Sequence, residues 1–500
     1  MTLPRRNSRN RSGDAVQRRR GFVLLAVLVF VMLLSMVAMS LLFRFKAEET
    51  AAASSLSSEQ SWSAALSGVQ EAMRMARQSP AGSLDWRDNR RAFHERLVYE
   101  DGADRWYFTV FSPPDDDSTD DVRYGLTDEA SRLNVNHLPA DGAWLSGLPG
   151  LTPPLLQALQ DFIDADDQAR SEGAEQEYYA GLPLPYAVRN GSLRTFEEMR
   201  LVRGFTASVL FGEDVNLNGR LDPNENDADE RWPRDNNDGR LERGLRQFLT
   251  VASSEPEVDN NGSPRVNLND PNARLPDIEL PPPFTNFLAA LHSSKQSLRH
   301  PADLYEGSIR VRDDAGRESD VLSGVGKEEL PALLDRFKTT KEARREGLIN
   351  VNTAPIPVLV TIPGIDETVA EAIVSTRKSI APERRATLAW LVQEGVVDAA
   401  RFKEMAPYLT ARSFQFHFTV VGYGVPSGRY RVLEAVIDTA ETEPRVIYLR
   451  DMTRLGLPIR IESPQEGVAP GEARVSPPYH EMHPTHRAAG IDVSHLPLHG

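Results

Sequence analysis

The chain has 500 residues, 40% of them hydrophobic and 26% charged, enough for several domains with substantial cores. A net charge of −15 disfavours nucleic acid as the main partner, and the absence of cysteine excludes disulfides and thiol chemistry. In chain order, Arg5, Arg6, Arg9, Arg11, Arg18, Arg19 and Arg20 precede an uncharged run from Phe22 to Phe43, with Asp14 as the only acid among them. That run is about 22 residues long, enough to cross a bilayer and too long for the apolar stretch of a removable signal. The arginines predict a cytoplasmic N-terminus, with the rest of the chain across the membrane.

The junction "RRRGFVLLAVLVF" resembles the type IV prepilin class, in which a basic leader ends in glycine and phenylalanine heads the helix. The resemblance implies cleavage after Gly21 by a prepilin peptidase and methylation of the new terminus at Phe22. Pilins of this class usually carry glutamate at mature position five, where this chain has Ala26. A carboxylate in a membrane is costly and needs a partner, which in a filament is the amino terminus of the subunit ahead. A subunit without it fits the tip.

The helix is expected to continue through 46–78, which has no proline until Pro80 and a stripe of Leu56, Trp62, Leu66, Val69 and Met73. Strands are expected at "RWYFTVFS" (105–112), then only after some 300 residues at 414–424, 429–438 and 445–450. Residues 426–428 read as a hairpin turn. An α/β domain split by a large insertion follows from this spacing. The insertion contains a repeat: "LNVNHLPADGAWLSGLPGLTPPLLQALQDFID" (133–164) parallels "INVNTAPIPVLVTIPGIDETVAEAIVSTRK" (349–378). The expected division is leader 1–21, membrane segment 22–43, helix continuation 44–79, strands 80–126, and first helical unit 127–210. A loop insertion 211–250, a connecting region 251–345, a second helical unit 346–412, C-terminal strands 413–450 and a flexible tail 451–500 complete it.

The clearest chemical motif is "DVNLNGRLDPNE" (214–225). Asp214, Asn216, Asn218, the Arg220 carbonyl, Asp222 and Glu225 fill positions 1, 3, 5, 7, 9 and 12 of an EF-hand loop, and Gly219 allows its turn. Ca2+ is the expected ion, since it takes six to eight hard oxygens. A polar turn matching by chance is the bland alternative. "RDNNDGRLERGL" (234–245) matches in part: Asp238 is in place, Arg234 and Leu245 occupy the end positions, and Asp235 is a candidate substitute. The acidic run 161–179, with Asp164, Asp166, Asp167, Glu172 and Glu175, is a further candidate, or simply a solvated face.

Residues 358–377 look like a helix-hairpin-helix, a module that holds DNA phosphates on N–H groups at a helix N-terminus. Its second glycine is replaced by Asp366, and in the other copy by Thr152, which favours a packing role. With no cysteine, no G-x-S-x-G and no H-E-x-x-H, no nucleophile set stands out and no enzyme is expected. His480, His483 and His486 lie in a proline-rich tail, where a metal-gathering helix is not expected.

Together, "RRRGFVLLAVLVF", "GLTDEASRLNVN" (125–136), the block 162–204 and "INVNTAPIPVLVTIPGI" (349–365) make the chain similar to the type II secretion minor pseudopilin K family over roughly residues 18–450. The resemblance implies an α+β fold: a long N-terminal transmembrane helix and a pseudopilin α/β domain split by helical sterile-alpha-motif-like units with calcium sites. It implies a place at the pseudopilus tip, anchored in the inner membrane with the main domain in the periplasm. The implied partners are minor pseudopilins I, J and H, with the secretin or exported cargo beyond them, and no nucleic acid. Block 211–250 and the tail stand outside the family pattern. The competing readings are a membrane-anchored helix-hairpin-helix DNA receptor and, last, an anchored periplasmic hydrolase.

Overall fold

The computed structural model describes residues 14–461, apart from 103, 115–121, 139–144, 146, 229 and 313–316. The start of the expected leader, and the tail beyond 461 with its three histidines, lie outside the described residues.

Helix α1 (Asp14–Gln78) runs 65 residues without a proline and contains Gly21. At 1.5 Å per residue it is roughly 100 Å long. Its first half is apolar and bare, with Phe22 at 71% exposure and its apolar neighbours through Phe45 similarly open. This helix is long and apolar enough to cross a membrane, with a mean hydropathy of 3.0 in its most apolar window. The second half is buried by a stripe of small residues, Ser61, Ala64, Ala65 and Ala72, together with Val69 and Met73. Leu56, expected on the buried face, remains exposed.

That second half lies on an antiparallel sheet of β1 (Arg96–Glu100), β2 (Arg105–Phe111), β3 (Gln415–Val425), β4 (Tyr430–Asp438) and β5 (Arg445–Asp451), in that spatial order. The short strand Thr127–Asp128 continues the β2 edge along β3. The period-two alternation explains both faces. Phe108, Val110, Phe418, Val420, Leu433 and Ala435 pack on α1. Tyr107, Phe111, Val421, Tyr423 and Val432 form a second cluster on the opposite face. Met452, Ile459 and Ile461 join that second cluster, so the expected tail is packed on the sheet as far as Ile461. β2 and β3 are neighbours in space, Thr419 facing Phe111, and the insertion lies between them in sequence.

The insertion contains three related units. Each starts with a short strand of the form apolar-Asn-apolar-Asn and ends on a strand parallel to it. Leu133–Asn134 pairs with Leu249–Thr250, Val266–Asn267 with Phe337–Lys338, and Ile349–Asn350 with Leu409–Thr410. In each, the first asparagine accepts the N–H of the second at 2.9–3.0 Å. The second asparagine donates its amide to two backbone carbonyls: Asn136 to Leu193 and Val251, Asn269 to Leu298 and Thr339, Asn352 to Arg385 and Ala411. The middle unit falls inside 251–345, expected only as a connection. A side chain that satisfies two buried carbonyls is costly to remove, because each orphaned group loses about 1–3 kcal/mol. Asn352→Ala is expected to lower unfolding free energy by about 3 kcal/mol in urea titrations.

Two polar hubs graft the insertion onto the sheet. The buried Asp128 accepts Asn350 Nδ2 at 2.8 Å and the Thr353 and Ser413 hydroxyls at 2.7 Å, tying the first unit to the third. Arg246 pairs with Glu434 of β4, beside the buried His417.

Candidate functional site

The first unit departs from the third before its closing strand. In the third, helix Ala399–Met405 runs directly through the turn Ala406–Tyr408 into its closing strand. In the first, helix Ala207–Phe211 and turn Gly244–Gln247 are separated by an excursion, 212–243. The chain leaves at Gly212 (φ +61°) and returns at Gly244 (φ +54°). A Cβ on Gly244 would lie 2.7 Å from the Gly212 nitrogen, so only glycine fits this pinch.

The excursion carries both sequence-predicted loops. In the first, Asp214 Oδ1 accepts the Asn218 N–H at 2.9 Å and its Oδ2 the Gly219 N–H at 3.0 Å. Asn218 Oδ1 accepts the Arg220 N–H at 2.7 Å. The side-chain amides of Asn216 and Asn218 both converge on Asp222 Oδ2, at 2.7 and 2.9 Å. Glu225 is 1% exposed; its Oε2 accepts the Asp222 N–H, and its Oε1 has no hydrogen-bond partner among the described residues. Gly219 takes φ +67° at the turn. The six residues proposed from sequence are therefore brought together.

The second loop repeats this pattern with borrowed ends. Asn236 Oδ1 accepts the Asp238 N–H and Asp238 Oδ1 the Arg240 N–H, as in the first loop. The glycine N–H, held by Asp214 in the first loop, is taken at Gly239 by Asn226 Oδ1. The position-nine N–H, held by Glu225 in the first loop, is taken at Glu242 by Glu213. Asp235 accepts the N–H groups of Asp227, Ala228 and Asn237 instead. Asn226 and Glu213 flank the first loop, and no local spacing signals that they complete the second.

In the acidic run, carboxylate oxygens of Asp164, Asp166 and Glu175 lie within 4.8 Å of one another. Asp164 Oδ1 and both oxygens of the buried Glu175 have no hydrogen-bond partner among the described residues. Asp167 accepts Asn190 Nδ2 at 3.1 Å, outside that group. Arg170 spans Asp161 and Asp164 and supports one wall. Arg170 and the fully buried Asp161 were not singled out in the sequence, because a run of acids gives no sign of which member turns inward. The cluster fits a divalent cation by donor chemistry: Asp164 and Glu175 offer buried oxygens without partners, and the exposed Asp166 adds a third carboxylate.

These carboxyls are displaced toward the protonated form. Burial is the largest cause throughout. It pushes Asp214 up to about 6 against its backbone hydrogen bonds, and Glu225 to about 7 with help from Asp214 and Asp222. Glu175 is raised to about 7, with Asp161 and Asp164 adding to burial, and Asp128 to about 6 against three side-chain hydrogen bonds. A carboxyl whose folded pKa lies above its ordinary value stabilises the fold fully below that ordinary range and loses the contribution as pH rises through the folded pKa. With chelator present, Tm is expected to rise as pH falls from about 8 to about 5. A flat or falling fluorimetry profile over that range contradicts these shifts.

The hairpin turns are built for packing. Asp366 caps its own helix, accepting the Val369 N–H at 2.9 Å, and pairs with Arg401 at 3.1 Å. In the first copy, Pro153 and Pro154 remove two N–H groups from the helix start. Neither end offers a free row of donors to phosphate.

Residues 131–211 match the family model described as type II secretion system (T2SS), protein K. A stretch of 52 residues is 38% identical to the type II secretion system protein K of Pectobacterium carotovorum subsp. carotovorum. It spans 10% of this chain and 16% of that relative. A chain in the crystal structure of the GspK-GspI-GspJ complex from the enterotoxigenic Escherichia coli type 2 secretion system is similar over 79% of this chain and 98% of its own length. Its identity is 14% and the TM-score 0.36. Over residues 131–211, the chain is thus similar to the type II secretion system protein K family.

Proposed function

We propose that the chain is a minor pseudopilin at the tip of the type II secretion pseudopilus, initiating or capping its assembly for export of folded proteins. The observation that carries this is helix α1. Its bare apolar half suits a bilayer or a stack of like helices, and its other half is sealed into a sheet by small residues. One rigid rod joins anchor to head, as a filament subunit requires. Cleavage after Gly21 would leave Phe22 as the methylated first residue, and Ala26 leaves no carboxylate to seek a subunit ahead. The proposed setting is the inner membrane with the head in the periplasm, and the proposed partners are pseudopilins I, J and H.

A calcium ion held by Asp164, Asp166 and Glu175 fits the first unit, where it would neutralise carboxylates that burial otherwise disfavours. The DNA-receptor alternative is disfavoured by the self-capped and proline-blocked hairpins and by the acidic chain.

The test is twofold. Mass spectrometry of protein from cells with prepilin peptidase is expected to give an N-terminus at methylated Phe22. Co-expression of the head with the neighbouring pseudopilins I and J is expected to give a 1:1:1 complex. An intact Met1 together with no complex would overturn the proposal.

A further inference from the structure

The excursion 212–243 is absent from the otherwise similar third unit, and the secretion role leaves it unused. Its first loop has a feature that a mere polar turn lacks. Glu225 is 1% exposed, yet Oε1 has no partner among the described residues, while Asp214 and Asp222 face it across the loop. Burying a carboxylate oxygen without a donor is costly unless a cation completes it. A half-turn of each asparagine amide presents oxygen in place of nitrogen to the ion and gives up the Asn218 and Arg220 N–H bonds that those oxygens accept without it.

The same loop is pressed onto the sheet. Leu217 joins the cluster of Tyr107, Phe111, Val421 and Tyr423 on the face away from α1. Gly219 sits so close to Pro113, just past β2, that a Cβ would lie 2.8 Å from its ring. The Arg220 guanidinium reaches the Pro458 carbonyl at 3.5 Å, in the segment whose Ile459 and Ile461 cover that cluster.

We propose that residues 214–225 form a Ca2+ site, using Asp214, Asn216, Asn218, the Arg220 carbonyl, Asp222 and Glu225, and that the bound ion clamps the excursion and segment 453–461 onto the sheet. Ion binding fixes the backbone of Leu217, Gly219 and Arg220, the residues that make the docking contacts. The site and the clamp are thus one device. It does not depend on the secretion role.

Full-length protein in detergent is titrated with Ca2+ by calorimetry. Glu225→Gln and Asn216→Ala are each expected to remove one ion from the stoichiometry or weaken one site at least tenfold. Asp164→Asn, in the separate acidic cluster, is expected to leave this site intact. A Tm in chelator equal to the unsubstituted protein identifies folded variants, and Asn216→Ala, at a half-buried position, keeps the test open if Glu225→Gln does not fold. Hydrogen exchange is then followed with and without Ca2+. The expected result is slower exchange at 217–220 and 453–461 in the unsubstituted protein and none in the variants. Unchanged stoichiometry and affinity in both variants would overturn the site. Ca2+ saturation without slower exchange at 453–461 would overturn the clamp.

Discussion

Gly422→Ala is expected to destabilise the head by about 3 kcal/mol, although replacing a strand glycine ordinarily stabilises. Gly422 lies in the middle of β3, directly beneath α1. A Cβ there would fall inside contact distance of the Ser61 carbonyl and the Ala65 nitrogen, and 2.9 Å from the Ala65 Cα. Those are backbone atoms of a long helix, so no flexible side chain can yield. Gly68 mirrors this from the helix side, meeting Phe108 and Val420. Helix and sheet therefore touch backbone to backbone at Gly422 and backbone to side chain at Gly68, and one methyl at Gly422 must lift the helix from the sheet. Chemical denaturation of the substituted head is the measurement, and a loss below about 1 kcal/mol would show that the helix re-seats without strain.

Glu255→Ala is expected to cost about 3–5 kcal/mol, the range for removing one partner of a buried ion network. Glu255 follows the first unit, and its carboxylate binds Arg265 at 3.1 Å, Arg412 at 3.6 Å and the Thr410 hydroxyl at 2.5 Å. Arg265 opens the middle unit, and Thr410 and Arg412 close the third, so one carboxylate joins all three. Burial pushes the group up, but Arg265, then Arg412, the Thr410 hydroxyl and Arg345 hold it below its ordinary value. A lowered carboxyl contributes stability above its ordinary pKa and loses it as pH falls through the folded value. The penalty of the substitution should therefore shrink in acid, below about pH 4. Urea titrations at pH 7 and in mild acid give both numbers. An equal penalty at the two pH values would show that packing, not charge, carries the effect.

The sheet was legible because its strands alternate aromatic and branched residues on both faces, and 105–112, 414–424, 429–438 and 445–450 all form strands. The split by an insertion was legible from the silence between them. The middle unit was not, because it lacks the Pro-Gly turn that marks the other two. Its signal was Val266-Asn267-Leu268-Asn269, the same apolar-Asn pattern, whose role as a carbonyl clasp becomes visible only when the strands close. The turn of the first loop could be read because its hydrogen-bonding residues are local in sequence. The borrowed ends of the second could not, since Asn226 and Glu213 reach it only through the fold. The hubs at Asp128 and Glu255 look like ordinary surface acids until burial reveals them.

The adjacency of β2 and β3 has a consequence for biogenesis. A chain delivered from its N-terminus presents β2 roughly 300 residues before β3 exists, about 15–60 s at about 5–20 residues per second. Throughout that interval β2 holds an open, aromatic edge that any passing strand could extend. Nascent chains thus pass through a sticky half-sheet stage, and a holdase that shields strand edges is expected to raise the yield of this protein.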